Sequence, residues 1–498
     1  MKKYLYGASV QGIQNFIFQT SKLKDIIGAS EIVKRVCDVL FKDEFRKSGE
    51  LVVNAAGNIK CVYDNEEECR DAVLRFPKRV IESAPGITIS QAVVVIEDEC
   101  ADFGKACDQL EGKLREQRNK PAKLVGSGLI ATERSRTTGL PATHVERDGG
   151  EVAFMDECTY SKRQTLGKNN DVQLELCKEM FGKDIRIKDI GLDMKDLTGK
   201  NDWIAVIHID GNGLGDVVAK IGHDKEKLRT FSVNLDLATK AAARRACGSI
   251  IDTIGERTIY PIRPVLLGGD DLTVICRADV AMRFVRQYLE YFEQESRSKT
   301  NHELSACAGI AYIKSSYPFH YGYTLAETLC GVAKKDAKSD FIKNANNGKI
   351  PSCVMFHKVQ SSFVEDYGEI ERKELKPKLE NCTYKFGPYY YFDSQSDRKT
   401  IELNRMTIDE LTKKVNALAE ERNGNVKTAI REWLTLMAKD AGIAAQKEKR
   451  VKSLLKDTPQ GNLYSDAIES RHRNDGLSYV PAYDILTLLT VENQTVNR

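Results

Sequence analysis

Two glycines followed by two carboxylates, Gly268-Gly269-Asp270-Asp271, form the segment of this sequence that is best suited to chemistry. Short apolar runs, 264–267 and 272–275, flank it on both sides. Apolar runs around a Gly- and Asp-rich turn predict a tight β-hairpin with the acids at its tip. Paired carboxylates on a rigid turn can hold a divalent cation beside a triphosphate. Gly and Asp are also favoured in ordinary solvated turns, so the tetrad alone leaves both interpretations open.

A third acid, Asp210, ends an earlier apolar run, 203–209, and opens into a glycine-rich loop. A strand that ends in Asp-Gly, followed by a hairpin with paired acids, is the layout of a palm-type nucleotidyltransferase or cyclase. We therefore expect Asp210, Asp270 and Asp271 to be the catalytic acids and to bind Mg²⁺ or Mn²⁺ through hard oxygen ligands. The backbone carbonyl of Gly211 is a further predicted ligand.

The residues around these acids are predicted to bind the nucleotide. Glycines let the backbone approach phosphates closely, which applies to the loop after Asp210 and to the hairpin turn. Lys334 lies on a predicted helix after the last strand and is predicted to contact the β- and γ-phosphates, although a solvated lysine is an equally good interpretation. The predicted nucleotide-binding residues are Gly211, Asn212, Gly213, Leu214, Gly215, Gly268, Gly269 and Lys334.

Length and composition narrow the class of protein. The chain has 498 residues, which indicates about three domains. Its 75 basic and 72 acidic side chains give a net charge of +3, which argues against a dedicated polybasic nucleic-acid binder. The thirteen cysteines form no Cys-x-x-Cys pair, so we expect no structural zinc and a reduced, cytoplasmic protein with buried thiols. The sequence shows neither a signal peptide nor an apolar stretch of membrane-spanning length.

The order of predicted elements is the same in two parts of the chain. The predicted fold class is α+β, with two ferredoxin-like βαββαβ palm domains, a small helical insertion between them and an α-helical C-terminal domain. The first palm is expected at 1–150 and the second at 202–350. A charged helical insertion or linker is expected at 151–201, an extension of the palm at 351–404 and the helical domain at 405–498.

The two predicted palms differ at the acids. The segment 56–59 of the first palm stands where the Gly-Gly-Asp-Asp tetrad stands in the second, and it contains no carboxylate. The loop Ser9–Gln14, which corresponds to the region of Asp210, contains none either. The first palm cannot assemble a two-carboxylate metal site and is therefore expected to be a binding partner rather than a catalyst.

These motifs together resemble the large-subunit polymerases of type III CRISPR effector complexes, the CRISPR polymerase family with tandem palm domains. Gly-Gly-Asp-Asp alone does not separate this family from diguanylate cyclases, whereas its combination with a Gly-Ile-Gln segment is more specific. The resemblance rests on Gly12–Gln14, Lys22–Ser30, Thr138–Ala142, His208–Gly215, Arg263–Leu272, Ala308–Ala311 and Ala326–Lys334.

The resemblance implies that ATP binds at the interface of the palms. The second palm would then join ATP molecules through 3′–5′ linkages into a cyclic oligoadenylate, a second messenger of antiviral defence, while the first presents the partner nucleotide near Ser30. Guide RNA, target RNA and other type III CRISPR subunits are the implied partners. Family members often carry an N-terminal histidine-aspartate nuclease domain, and because this sequence starts at the first palm we expect no DNA cleavage.

Three alternatives stay open at this point. A palm-type cyclase that makes a cyclic dinucleotide or mononucleotide, or an enzyme that makes a linear adduct, would use the same acids. An RNA-sensing scaffold subunit with weak catalysis is the alternative from another class, and the three acids of the second palm argue against it. Whether the protein acts within a CRISPR complex, alone or as a homo-oligomer is also open.

Overall fold

The structure is a computed structural model and contains both helices and sheets, which confirms the predicted α+β class. It describes residues 2–20, 22–55, 57–97, 99–120, 131–148, 151–166, 174–185, 187–190, 192–199, 201–254, 259–361, 366–377, 379, 381–392, 404–473 and 475–492. The chain forms two compact units. The first unit comprises Met1–Asp196, Gly213–Val274 and Phe292–Leu304, and the second comprises Leu197–Asn212, Ile275–Tyr291 and Ser305–Arg498.

The first palm is a four-stranded antiparallel sheet with the order β2-β3-β1-β4. Its strands are β1 (Lys3–Gln11), β2 (Glu50–Ala55), β3 (Asn58–Tyr63) and β4 (Thr88–Ile96). Its helices are α1 (Ile13–Phe18), α2 (Leu23–Lys34), α3 (Phe41–Glu44), α4 (Glu66–Ser83) and α5 (Glu99–Arg118), with a π-helical segment, Arg35–Leu40, between α2 and α3. Helices between β1 and β2 and between β3 and β4 give the βαββαβ order that the sequence predicts.

The insertion after the first palm begins with a hairpin and continues as short helices. Its elements are β5 (His144–Asp148), β6 (Glu151–Met155), α6 (Glu157–Thr165), α7 (Glu175–Phe181) and α8 (Ile187–Ile190). Lys162 of α6 is buried and donates to the Phe16 carbonyl at 2.6 Å. Arg163 pairs with the buried Asp25 carboxylate at 2.9 Å. These buried polar contacts make α6 a packed part of the first unit, which favours the helical insertion over the linker.

The second palm repeats the order of the first. Its elements are β7 (Trp203–Asn212), α9 (Leu214–Ile221), α10 (Lys225–Ile254), β8 (Ile262–Gly268), β9 (Asp271–Arg277), α11 (Ala281–Thr300) and β10 (Ser305–Lys314). The strand order β10-β7-β9-β8 is equivalent to β4-β1-β3-β2 of the first palm. Central β7 is almost wholly apolar and buried up to the acid at its end, as expected of a strand covered on both faces.

Further strands extend this sheet beyond β10. They follow α12 (Phe319–Ala337) and α13 (Asp340–Ala345) and are β11 (Ser352–Lys358), β13 (Tyr389–Tyr391) and β14 (Met406–Thr407), which complete the order β14-β13-β11-β10-β7-β9-β8. A separate small sheet contains β12 (Cys382–Thr383), β15 (Arg471–His472) and β16 (Ser478–Tyr479), and α14 spans Tyr367–Lys373. The remaining helices are Ile408–Ala419, Gly424–Lys439, Ala441–Leu454, Pro459–Ile468 and Ala482–Glu492. The domain boundaries at 150, 201, 350 and 404 stay predictions.

Two general expectations can be compared with this structure. The twelve cysteines whose side chains are described carry free thiols and are buried. Within the described part of the chain, no helix combines the length and the apolar character that a membrane span requires.

The C-terminal part of the second unit contains a buried acid that links stability to pH. Asp484 accepts a hydrogen bond from the Tyr389 hydroxyl at 2.6 Å and one from the Gly387 N–H at 3.3 Å. Burial raises the pKa of this carboxyl to about 7, because the two hydrogen bonds offset only part of the cost of burying its charge. The folded state therefore holds a proton that the unfolded chain releases at lower pH.

We expect Asp484→Asn to flatten the pH dependence of stability. A pKa raised in the folded state contributes stability that is fully present below the unfolded pKa of about 3.8 and is lost as pH rises through about 7. The melting temperature should therefore fall less between pH 5 and pH 8 in the variant than in the wild type. Asp466→Asn is the control because this side chain is 58% exposed, and equal losses in all three proteins would contradict the assignment.

Candidate active site

The three acids predicted from the sequence lie together. One carboxylate oxygen each of Asp210, Asp270 and Asp271 lies within 4.8 Å of the others, and all three residues are partly buried. The convergence follows from the sheet order, since β7 carries Asp210 and its neighbour β9 begins at Asp271. Oxygen ligands at this spacing fit Mg²⁺ or Mn²⁺, which prefer carboxylates and bind them at about 2.0–2.6 Å.

The hairpin between β8 and β9 has the predicted form, with Gly269 and Asp270 in the turn. Gly269 has a φ of 64°. This left-handed conformation is readily adopted by glycine and strains other side chains. We call the segment Gly268–Asp271 the GGDD turn.

Lys334 of α12 lies at the metal-binding end of β7. Its Nζ donates to Asp210 Oδ2 at 2.6 Å and to the Gly211 carbonyl at 2.8 Å. Burial lowers the pKa of this lysine, but the Asp210 carboxylate raises it by more, so the net pKa lies above its usual value and the ammonium stays charged. Lys334 thus contacts both ligands that the sequence assigns to a cation on this strand, and its predicted phosphate contact stays a prediction.

The loop after β7 leads into α9, and the space around its glycines is open. Gly213 precedes the helix with φ 76° and ψ 0°. Apart from the chain neighbours and the backbone of α9 itself, no heavy atom lies within 4 Å of where a Cβ would stand at Gly213 or Gly215. N–H groups in the first turn of a helix lack partners within the helix and attract anions. The open space at Gly213 and Gly215 is compatible with the predicted phosphate contact.

Asn212 faces away from this loop. The side chain is buried, and its amide donates to Ser305 Oγ at 3.1 Å and to Cys307 Sγ at 3.2 Å, both on β10. The side chain therefore joins two strands of the sheet. Any contact of Asn212 with a nucleotide is left to its backbone.

At the positions that correspond to the acids, the first palm has a similar backbone conformation but neutral side chains. Gly12 precedes α1 with φ 77° and ψ 15°, close to the values of Gly213 before α9, which aligns Ser9 with Asp210. Gly57, with φ 77°, corresponds to Gly269, which aligns Asn58 with Asp270. Ser9 Oγ donates to Asn58 Oδ1 at 2.9 Å. A neutral hydrogen bond thus stands where the second palm holds carboxylates, as the sequence comparison predicts.

Two cavities within the first unit border the GGDD turn. The Ser30 cavity, of about 400 Å³, is lined by the start of α1, by α2 and its π-helical continuation, and by the end of β8. The Phe231 cavity, of about 250 Å³, is lined by α9, α10, β2 and β3. Asp271 lines the Ser30 cavity, and Asp270 lines the Phe231 cavity.

Ser30 lies at the wall of the cavity that bears its name, and its predicted place beside a nucleotide stays a prediction. Its hydroxyl donates to the Ile26 carbonyl at 2.9 Å, and the residue is 3% exposed. The hydroxyl hydrogen is therefore used within α2, and the oxygen is left to accept from a ligand.

Sequence reasoning missed the charged groups of this cavity, Lys34 and Asp38, which line it beside Ser30. Lys34 contacts Asp38 and pairs with Glu179 of the insertion at 2.8 Å. Charged residues spaced four apart on a helix are usually solvent-exposed, so the sequence contained no signal of a cavity wall.

The second palm is similar to a known family of palm domains. Residues 203–344 match the family model described as Cas10/Cmr2, second palm domain, and this confirms the resemblance found from the motifs. A comparison with curated proteins finds no match.

Solved structures share the fold over the whole chain. A Csm1–Csm4 cassette in complex with cA4 superposes with a TM-score of 0.58 at 14% identity, over 100% of this chain and 70% of that chain. The cassette in complex with AMPPNP gives a TM-score of 0.55 at 14% identity with the same two coverages. A Csm1–Csm4 subcomplex of the type III-A CRISPR-Csm interference complex gives 0.50 at 14% identity, over 98% of this chain and 70% of that chain.

We expect Lys334→Met to bind Mn²⁺ more tightly than the wild type in the absence of nucleotide. The ammonium contacts Asp210 and Gly211, both predicted ligands of the cation, and a cation must displace it. Removing a competing charge–charge hydrogen bond should lower the Mn²⁺ dissociation constant by about tenfold. Titration followed by electron paramagnetic resonance measures the constant. Lys335→Met, one residue further along the helix, is the control, and an unchanged constant in Lys334→Met would contradict the competition.

Proposed function

We propose that this protein is a metal-dependent nucleotidyltransferase that uses ATP to make a cyclic oligoadenylate-type second messenger in antiviral defence. One observation carries the proposal: three carboxylates lie within 4.8 Å of one another, and two of them line separate cavities. A single set of acids with a cavity at each of two carboxylates suits a reaction between two bound nucleotides.

The residues of the second palm have distinct roles in this proposal. Asp210, Asp270, Asp271 and the Gly211 carbonyl would hold Mg²⁺ or Mn²⁺. Such a cation, when bound, would lower the pKa of a ribose hydroxyl and neutralise charge on the phosphates. The N–H groups at the start of α9 would bind phosphate oxygens, and Lys334 would exchange its contact with Asp210 for one with the triphosphate.

The two cavities support an intermolecular transfer. Each is lined by the loop and helices of one palm and by hairpin strands of the other, and both border the GGDD turn. Two nucleotides held there would bring a ribose hydroxyl and an α-phosphate to the same acids, which replaces a bimolecular encounter by a positioned one. This arrangement favours an oligonucleotide product over a cyclic mononucleotide, in which both reacting groups belong to one molecule.

The related structures support the choice of substrate, product and partners. Csm1–Csm4 cassettes have been solved with AMPPNP, an ATP analogue, and with cA3 and cA4. We propose by analogy that ATP is the substrate and that the chain assembles with other type III CRISPR subunits, with guide RNA and target RNA as the activating ligands. The identities of 13–14% to these structures establish the fold, so the activity rests on the site itself.

The test of the activity is mass spectrometry of the products formed from all four NTPs with Mg²⁺ and Mn²⁺. We expect a cyclic oligoadenylate from the wild type, either alone or after addition of partner subunits and target RNA. Asp270→Asn combined with Asp271→Asn should lower its formation by at least about two orders of magnitude, because the hairpin loses both negative charges. Glu226→Gln is the control because this side chain is 66% exposed. Full turnover in the double variant would refute the proposed metal site.

Lys334→Ala should test the role of this lysine in ATP binding. Loss of a charge-assisted hydrogen bond to phosphate should raise the KM for ATP by about tenfold or more. Unchanged kinetics in Lys334→Ala would show that the lysine does not contact the triphosphate.

A further inference from the structure

Helix α10 holds the GGDD turn by two hydrogen bonds to one residue. The Thr239 hydroxyl donates to the Gly269 carbonyl at 2.6 Å, and the Gly269 N–H donates to Asp236 Oδ1 at 3.3 Å. Thr239 is fully buried. Residues three apart lie on the same face of a helix, so a single rigid element fixes the peptide groups on both sides of Gly269.

These contacts act on the residue that directly precedes the metal acids. The Gly269 carbonyl belongs to the peptide group that also contains the Asp270 nitrogen, so the Thr239 hydroxyl restrains rotation of that group. With the left-handed φ of 64° at Gly269, the turn has a defined conformation from which both carboxylates project. A small rotation at Gly269 would therefore move Asp270 and Asp271 together.

Asp236 is also the last member of a series of alternating charges within the first unit. It pairs with Lys240 at 2.6 Å, Lys240 pairs with Glu179 at 3.3 Å, and Glu179 pairs with Lys34 at 2.8 Å. Lys34 in turn contacts Asp38. We call these five residues the charge array. Their side chains are between 11% and 28% exposed, so solvent screens them less than it screens pairs on an open surface.

The opposite end of the charge array belongs to the Ser30 cavity, which Lys34 and Asp38 line. Burial lowers the pKa of Lys34, but Asp38 and Glu179 raise it by more, so the ammonium is charged at the cavity wall. A nucleoside in the cavity would desolvate this pair and compete for its hydrogen bonds. Any change in the partners of Lys34 alters the attraction between Lys34 and Glu179, and hence between Glu179 and Lys240.

We propose that Thr239 and Asp236 are positioning residues for the metal acids, and that the charge array couples nucleoside binding in the Ser30 cavity to cation binding at the GGDD turn. This inference rests on the proposed function, because it assigns the cavity to a nucleotide and the acids to a cation. When Lys34 turns toward the nucleoside, Glu179 is freed to bind Lys240, and Asp236 then holds the Gly269 N–H with less competition. Coupling of this kind is reciprocal, so the cation should strengthen nucleoside binding by the same factor.

The positioning role is tested by comparing Thr239→Val with Thr239→Ser. Valine keeps the shape and lacks the donor, so the Mn²⁺ dissociation constant should rise by about tenfold, the usual effect of one lost hydrogen bond. Serine keeps the donor and should stay within about twofold of the wild type. Thermal unfolding identifies a general loss of structure, and equal Mn²⁺ constants in the two variants would overturn the positioning role.

The coupling is tested by titrating the full chain with Mn²⁺ in the presence and absence of adenosine, which has no phosphate to bind the metal. Saturating adenosine should tighten Mn²⁺ binding to the wild type by at least about fivefold. In Lys240→Met, which interrupts the charge array, both ligands should still bind but without this effect. Arg245→Met is the matched control, because Arg245 lies on the same helix and pairs with Glu295 at 2.9 Å, which is not a member of the charge array.

The outcomes separate this inference from the proposed function. The coupling is wrong if adenosine tightens Mn²⁺ binding equally in the wild type and in Lys240→Met. It is also wrong if the wild type binds both ligands and adenosine does not change its Mn²⁺ affinity. Neither result would contradict the proposed enzymatic activity. A wild type that binds neither Mn²⁺ nor adenosine, either alone or with partner subunits and target RNA, would refute the proposed function, and this inference with it.

Discussion

Electrostatic repulsion among three carboxylates is the constraint that organises the second palm. Partly buried carboxylates within 4.8 Å of one another repel each other, so the fold must hold them in place and a cation must compensate their charge. Asp210 is fixed near the end of the central strand and compensated by Lys334, while Asp270 and Asp271 are carried by a turn that α10 holds at Gly269. The strand order then matters because it makes the Asp210 strand and the hairpin strand neighbours.

The first palm shows that this fold does not itself require the acids. It has the same strand order and the same left-handed glycine before its first helix, yet Ser9 and Asn58 form a neutral hydrogen bond at the corresponding position. A neutral pair avoids the repulsion and needs no cation. The carboxylates of the second palm are therefore best explained by binding, because the first palm forms the same fold without them.

Local sequence patterns predicted the elements that carry the acids. The β8–β9 hairpin, the strand ending at Asp210 and the repeated βαββαβ order follow from apolar runs and turn residues, which are properties of short segments. The contacts that hold the acids depend on residues distant in sequence. Thr239 and Asp236 are polar residues within a long helix, and polar helix residues usually face solvent. Nothing near them in the sequence indicates that they hydrogen-bond Gly269. The buried orientation of the Asn212 side chain likewise depends on its hydrogen bonds to Ser305 and Cys307 of β10, which are distant in sequence.

The tandem arrangement gives the proposed reaction a direction. Both cavities border one turn, but the acids belong to the second palm alone, so two nucleotides bound there would not be equivalent. Two identical palms would present each nucleotide in the same surroundings, and either could react first. With the acids on one hairpin and the neutral Ser9–Asn58 pair on the other, one cavity is suited to the group that is activated and the other to its partner. Repeated transfer in a single sense is what growth of a chain requires before its ends can be joined.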